Sequence, residues 1–114
     1  MSESSRYNEI RQELQKYGAR VFRNQAGSYQ LADGRWLTSG LCPGASDLIG
    51  WSREGLFLAI EVKAPGKRPT PAQAMFIDAV RSAGGIAFAC STAAEASDLL
   101  RRHETGPVTV TLEG

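Results

Sequence analysis

The chain has 114 residues, 42% of them hydrophobic and 22% charged, with a formal net charge of +1. That is room for one core, in an ordinary globular composition rather than a disordered one. Apolar runs such as Leu56 to Ile60 are far too short for a membrane span, and Met1 to Tyr7 lack the apolar run of a secretory signal. Cys42, Cys90 and His103, with no CxxC, argue against a zinc site or a disulfide scaffold, so a reducing cytoplasm is the expected compartment.

In chain order, Tyr7, Ile10, Leu14 and Tyr17 form one stripe at helical spacing, which predicts a helix over 5–17 ended by Gly18. Ala19 to Arg23 reads as a short strand. Tyr29 to Leu37 reads as two hairpin arms around Asp33-Gly34. A loop over Thr38 to Ser46 leads into a strand at Asp47 to Trp51, a turn at Ser52 to Gly55, and the clearest strand, Leu56 to Lys63. Pro65 to Pro69 is a basic Gly/Pro loop. A second helix is expected from Pro71 to Ala83, with Thr70 as N-cap, Pro71 in the first turn and Gln73 as the capping-box partner. Its expected apolar face is Met75, Phe76, Ala79, Val80 and Ala83. A strand over Ile86 to Cys90 follows. Thr92-x-x-Glu95 opens a third helix anchored by Leu99 and Leu100, and Gly106-Pro107 turns into a last strand at Val108 to Leu112. The expectation is a single α/β domain over residues 1–114, with a central sheet and helices packed on it.

Charge is unevenly spread. Residues 6–23 and 63–81 each carry a local +3, residues 24–62 and 95–114 each −2, and ten of the 13 basic residues are arginine, the better bidentate phosphate ligand. In Leu56 to Lys63, strand alternation puts Leu56, Leu58, Ile60 and Val62 on one face, expected to be the core. Phe57, Ala59, Glu61 and Lys63 fall on the other. Pairing this strand as a hairpin with Asp47 to Trp51 brings Asp47 about opposite Ile60 or Glu61. Two carboxylates held that close repel, so one takes up a proton or a cation sits between them. A hard divalent ion meets this with oxygen ligands, the Val62 carbonyl offering a third. A neighbouring Lys63 ammonium would orient water and neutralise charge developing on a phosphate. The same spacing is also compatible with a surface Glu–Lys pair and an unrelated aspartate near a turn.

Gly44-Ala45-Ser46-Asp47-Leu48-Ile49-Gly50, Ile60-Glu61-Val62-Lys63-Ala64, Thr70-Pro71-Ala72-Gln73-Ala74-Met75-Phe76 and Gly84-Gly85, in that order, resemble the VRR-NUC family of the PD-(D/E)xK nuclease superfamily. Arg23-Asn24-Gln25-Ala26-Gly27 resembles the segment before the core in small phage and bacterial members. The resemblance spans about residues 20–92. It implies a restriction-endonuclease-like fold, with a central mixed β-sheet flanked by helices. It also implies Asp47, Glu61 and the Val62 carbonyl as ligands of Mg²⁺ or Mn²⁺, Lys63 as the lysine that positions the attacking water, and Gln73 near the site. The implied activity is cleavage of DNA, branched or Holliday-junction DNA above all, by a homodimer. Ser46 stands where the superfamily has proline. Glu3, Glu9 and Glu13 are all candidates for an acidic residue from the first helix, and none is singled out.

Arg23 and Asn24 are read as phosphate contacts or as a strand end with a turn-forming Asn. Lys67 and Arg68 are read as phosphate contacts or a solvated loop. Gln73 suits both cap and site. Trp36 and Trp51 are expected in core or edge packing, base stacking being the alternative. The leading reading is a metal-dependent, structure-specific endonuclease; the alternative is a non-catalytic nucleic-acid-binding module on the same fold.

Overall fold

A computed structural model describes residues 2–25 and 27–104. The elements run α1 (Glu3–Gln15), β1 (Arg20–Arg23), β2 (Gly27–Gln30), β3 (Trp36–Ser39), β4 (Leu48–Trp51), β5 (Phe57–Val62), α2 (Pro71–Ser82), β6 (Ile86–Cys90) and α3 (Ala93–Glu104). The last predicted strand, Val108 to Leu112, lies outside the described residues.

β1, β4, β5 and β6 form one mixed sheet in that order; β1–β4 and β4–β5 are antiparallel and β5–β6 parallel. The parallel pair needs a crossover, which α2 supplies. β2 and β3 make a separate antiparallel hairpin around Asp33-Gly34. Asp33 secures that turn by accepting from the Arg35 N–H (3.0 Å) and pairing with its guanidinium (2.7 Å).

Both faces of β5 are covered, unlike the one-sided reading of its alternation. Leu58, Ile60 and Val62 join Ile10, Leu14 and Leu100 in the main core beneath α1 and α3. On the other face Ala59 and Ala87 pack under Ile77 and Val80 of α2. Small residues at Ala59 and Ala87 let a helix sit close to the sheet, and no period-2 pattern reports that. Leu56 falls outside the strand and is exposed, and so is Met75, placed on the apolar face of α2 from its spacing but 72% accessible. Helix α2 buries Val80, as expected, together with Ile77, which the expected face left out.

Caps fix the helix starts. Thr70 Oγ1 accepts from the Gln73 N–H (3.2 Å) and Gln73 Oε1 accepts from the Thr70 N–H (2.8 Å), completing the predicted box. At α3, Thr92 Oγ1 accepts from the Glu95 N–H, but Glu95 reaches one residue further back, to the Ser91 N–H (2.6 Å). Arginines cover carbonyls of both outer strands: Arg11 Nε donates to the Val21 carbonyl (2.9 Å) and Arg81 Nε to that of Ala87 (2.8 Å). At Gly50, β1 and β4 approach so closely that a Cβ would collide with the Arg20 carbonyl.

Candidate active site

The register of β4 on β5 decides the site. Leu48 faces Ile60 and Ile49 faces Ala59, so one step beyond the end of β4 Asp47 stands opposite Glu61. Of the two partners the spacing left open, the pairing selects Glu61. Asp47 Oδ2 accepts from the Val62 N–H (2.9 Å), which ties the carboxylate to the strand carrying Glu61. A strand residue's N–H and C=O point to the same side, so the Val62 carbonyl also faces the Asp47 side.

Glu61 is 2% exposed. Its Oε2 lies 3.8 Å from Lys63 Nζ, and among the described residues nothing donates to its buried Oε1. Burial and then the Asp47 carboxylate push the Glu61 carboxyl up to about 7, against the opposing pull of Lys63. A buried carboxylate oxygen without a donor costs a few kcal/mol, so natural folds seldom leave one unanswered. Lys63 is half-buried on the same face, held by its own N–H to the Cys90 carbonyl (2.9 Å).

The loop that delivers Asp47 is clasped from both sides. Asn24 donates its backbone N–H to the Asp47 carbonyl (2.8 Å) and Nδ2 to the Ser46 carbonyl (3.2 Å), while Oδ1 accepts from the Leu41 N–H (3.2 Å). Asn24 thus positions the Asp47 loop, a role that a lone Asn at a strand end does not announce. On the other side Gly44, at φ +82°, lies so near α2 that a Cβ would come within 2.7 Å of the Ala72 carbonyl. The Asp47 loop is thereby pressed on the first turn of α2, where Gln73 sits.

Asp47, Glu61, Val62 and Lys63 are brought together. Gln73 is spent in part on its cap, through Oε1. The Arg23 guanidinium lies 4.0 Å from the centroid of the Tyr7 ring, on the α1 side of the sheet. Lys67 and Arg68 are exposed in the loop after β5, where the Lys67 N–H closes a turn on the Ala64 carbonyl (3.0 Å). Of the candidates on α1, Glu13 pairs with Lys16 (3.0 Å) and Glu9 is exposed. The side chain of Glu3 is not among those described. Among the described residues no third His, Cys, Asp or Glu joins the two carboxylates. An apolar cleft of about 440 Å³, lined by Leu56, Phe57, Ala79, Val80 and Ala83 among others, lies toward the opposite end of β5 and has no part in this chemistry.

Comparison with known proteins settles the relationship. The sequence matches the VRR-NUC domain over residues 3–94. The chain belongs to the VRR-NUC family. A solved structure described as a VRR_NUC domain shares the fold, with a TM-score of 0.59 at 23% identity over 87% of this chain and 94% of that one. No curated protein matches. This VRR-NUC chain is therefore a member of a nuclease family with an α/β nuclease core, a mixed sheet flanked by three helices. Among its described residues no helix is long and apolar enough to cross a membrane. Ser46 is buried, and its Oγ has no partner among the described residues.

Proposed function

We propose that this VRR-NUC chain is a Mg²⁺- or Mn²⁺-dependent endonuclease that hydrolyses phosphodiester bonds in branched DNA. One observation carries the reading. Two carboxylates meet across β4 and β5, and the more buried one has an oxygen with no donor among the described residues, while a lysine stands on the same face. That donor set of hard oxygens fits a divalent ion better than it fits any protein group nearby. Asp47, Glu61 and the Val62 carbonyl would hold it. Such an ion supplies positive charge beside the phosphate and makes water more acidic at neutral pH.

The chain's own residues do the rest. The Lys63 ammonium donates to the attacking water or to a non-bridging phosphate oxygen, and neutralises charge as the phosphorus becomes five-coordinate. Attack displaces the 3′ oxygen and leaves 5′-phosphate and 3′-hydroxyl ends. The Gln73 cap uses only Oε1, so Nε2 is the atom proposed for the substrate. Lys67 and Arg68 are proposed as phosphate contacts that orient the DNA without reading its sequence; Arg23, held over Tyr7 on the other face of the sheet, is not placed for that role. One such domain offers one site, so paired cuts in a four-way junction would come from a two-fold homodimer.

A panel of labelled single-stranded, duplex, flapped and four-way DNAs, incubated with Mg²⁺ or Mn²⁺ and run beside a solution-mass measurement, tests the proposal. Wild-type protein should cut a branched substrate, and Glu61→Gln and Lys63→Ala should each lose at least about 100-fold in rate while still binding DNA. Full cleavage by either variant removes the mechanism. A folded, DNA-binding wild type that cuts nothing with either metal selects the non-catalytic reading.

A further inference from the structure

Helix α2 covers only part of its face of the sheet. Over β5 and β6 it buries Ala59 and Ala87, but toward β1 the same face stays open. Residues paired directly across strands share a face. The register therefore places Arg20 beside Trp51, Phe22 beside Ile49, and Trp51 beside Phe57. Phe22, Trp51 and Phe57 are 51%, 48% and 43% exposed, a row of three rings across three strands. The Phe22 and Trp51 rings are 5.9 Å apart and tilted by 50°.

This row lies on the face that carries the carboxylates. Trp51 is four residues from Asp47 along β4 and Phe57 four residues from Glu61 along β5. At ~3.3 Å per residue that is about 13 Å, no more than about four nucleotides at the duplex spacing of ~3.4 Å. Guanidinium groups flank it: Arg20 is exposed on the same face, and Arg11 lies 5.7 Å from the Phe22 centroid.

We infer that Phe22, Trp51 and Phe57 form a stacking platform for unpaired bases of the DNA strand whose phosphate lies at Asp47 and Glu61. The inference rests on the nuclease reading and deepens it. It names the substrate feature as unpaired nucleotides within about four of the cut. Three features select this occupant. Flat rings accept any base by its π face, which an intact duplex does not present. Arginines at the rim match phosphates in charge. The platform also continues the catalytic face, so a strand lying along β4 from the site runs over it.

The test uses Trp36→Phe protein, in which Trp51 is the sole tryptophan, with a thymidine 12-mer and a blunt duplex. It runs in chelator so that no cleavage occurs. The 12-mer should quench Trp51 fluorescence and the duplex should not. Trp51→Leu or Phe57→Leu should weaken 12-mer binding about 5- to 150-fold, the equivalent of about 1–3 kcal/mol per stacked base, while duplex binding stays within about twofold. Trp51→Phe, which keeps a ring, should restore most of it. With metal added, the Leu variants should lose the preference for substrates with unpaired nucleotides near the cut yet still cut fully paired branches. Unaltered 12-mer binding by the Leu variants overturns the platform. So does a wild-type dimer that the same changes turn into monomers, since the face would then belong to a second copy. A chain that stacks the 12-mer but cuts no DNA sinks the nuclease reading alone. One that cuts DNA indifferently to these changes sinks this inference alone.

Discussion

Glu61→Gln should separate stability from activity, because the buried carboxylate burdens the metal-free fold while the proposed ion needs it. In the metal-free fold, the Glu61 carboxyl rises from its ordinary 4.5 to about 7, because it is buried beside Asp47. Below pH 4.5 the group is protonated in the folded and unfolded chains alike and costs nothing. Between 4.5 and 7 the folded chain keeps a proton that the unfolded chain releases, so stability falls as pH rises. Above 7 the full cost applies, up to about 3 kcal/mol at ~1.4 kcal/mol per pH unit, with the pull of Lys63 already counted in that rise. Gln has nearly the same shape and no charge. In chelator at pH 8 the variant should melt higher than wild type by about 10 °C or more, and near pH 4.5 the two should coincide. Mg²⁺ at a hundredfold excess over its Kd should stabilise the wild type by about 2.7 kcal/mol and leave the variant unmoved, while cleavage is lost. Thermal melts at pH 4.5, 6 and 8, with and without metal, read all of this. Equal melting of the two proteins at pH 8 in chelator, or a variant that Mg²⁺ stabilises as strongly as wild type, refutes the reasoning.

Four further outcomes follow from the same geometry. Asn24→Ala removes the clasp on the Ser46 carbonyl and the Leu41 N–H, so urea unfolding should show a loss of about 1–3 kcal/mol, and more Mg²⁺ should be needed for half-maximal stabilisation. Gly50→Ala forces a methyl onto the Arg20 carbonyl and should cost about 3 kcal/mol or more by the same measurement. Gln73→Glu keeps the acceptor that closes the α2 cap but removes the amide donors. Its melting temperature should hold while cleavage drops about tenfold; undiminished cleavage would assign Gln73 to the cap alone. Affinity for branched DNA should fall steeply between low and moderate salt, with a log–log slope of about −0.9 per phosphate contacted, and a flat response would argue against phosphate-led binding.

The local order of the chain was legible because its signals are local. Alternation along Leu56 to Lys63 is a property of any strand and puts Glu61 and Lys63 on one side. The short Ser52 to Gly55 turn makes β4 and β5 a hairpin, so counting back from it brings Asp47 to Glu61. Thr70, Pro71 and Gln73 announce the start of α2 before any neighbour is known. The tertiary structure decided which faces are covered and which stay open. Helix α2 covers Ala59 and stops short of Trp51, leaving three rings in solvent, while Glu61 is buried beside Asp47, which raises its carboxyl. Nothing in the pattern of β1 marks β4 as its partner, and so the row of Phe22 with Trp51 could not be read from spacing, nor could the Asn24 clasp on the Asp47 loop. Contacts between neighbours in the chain leave a periodic trace in the sequence; contacts between segments distant in the chain are set by how the whole sheet assembles and leave none.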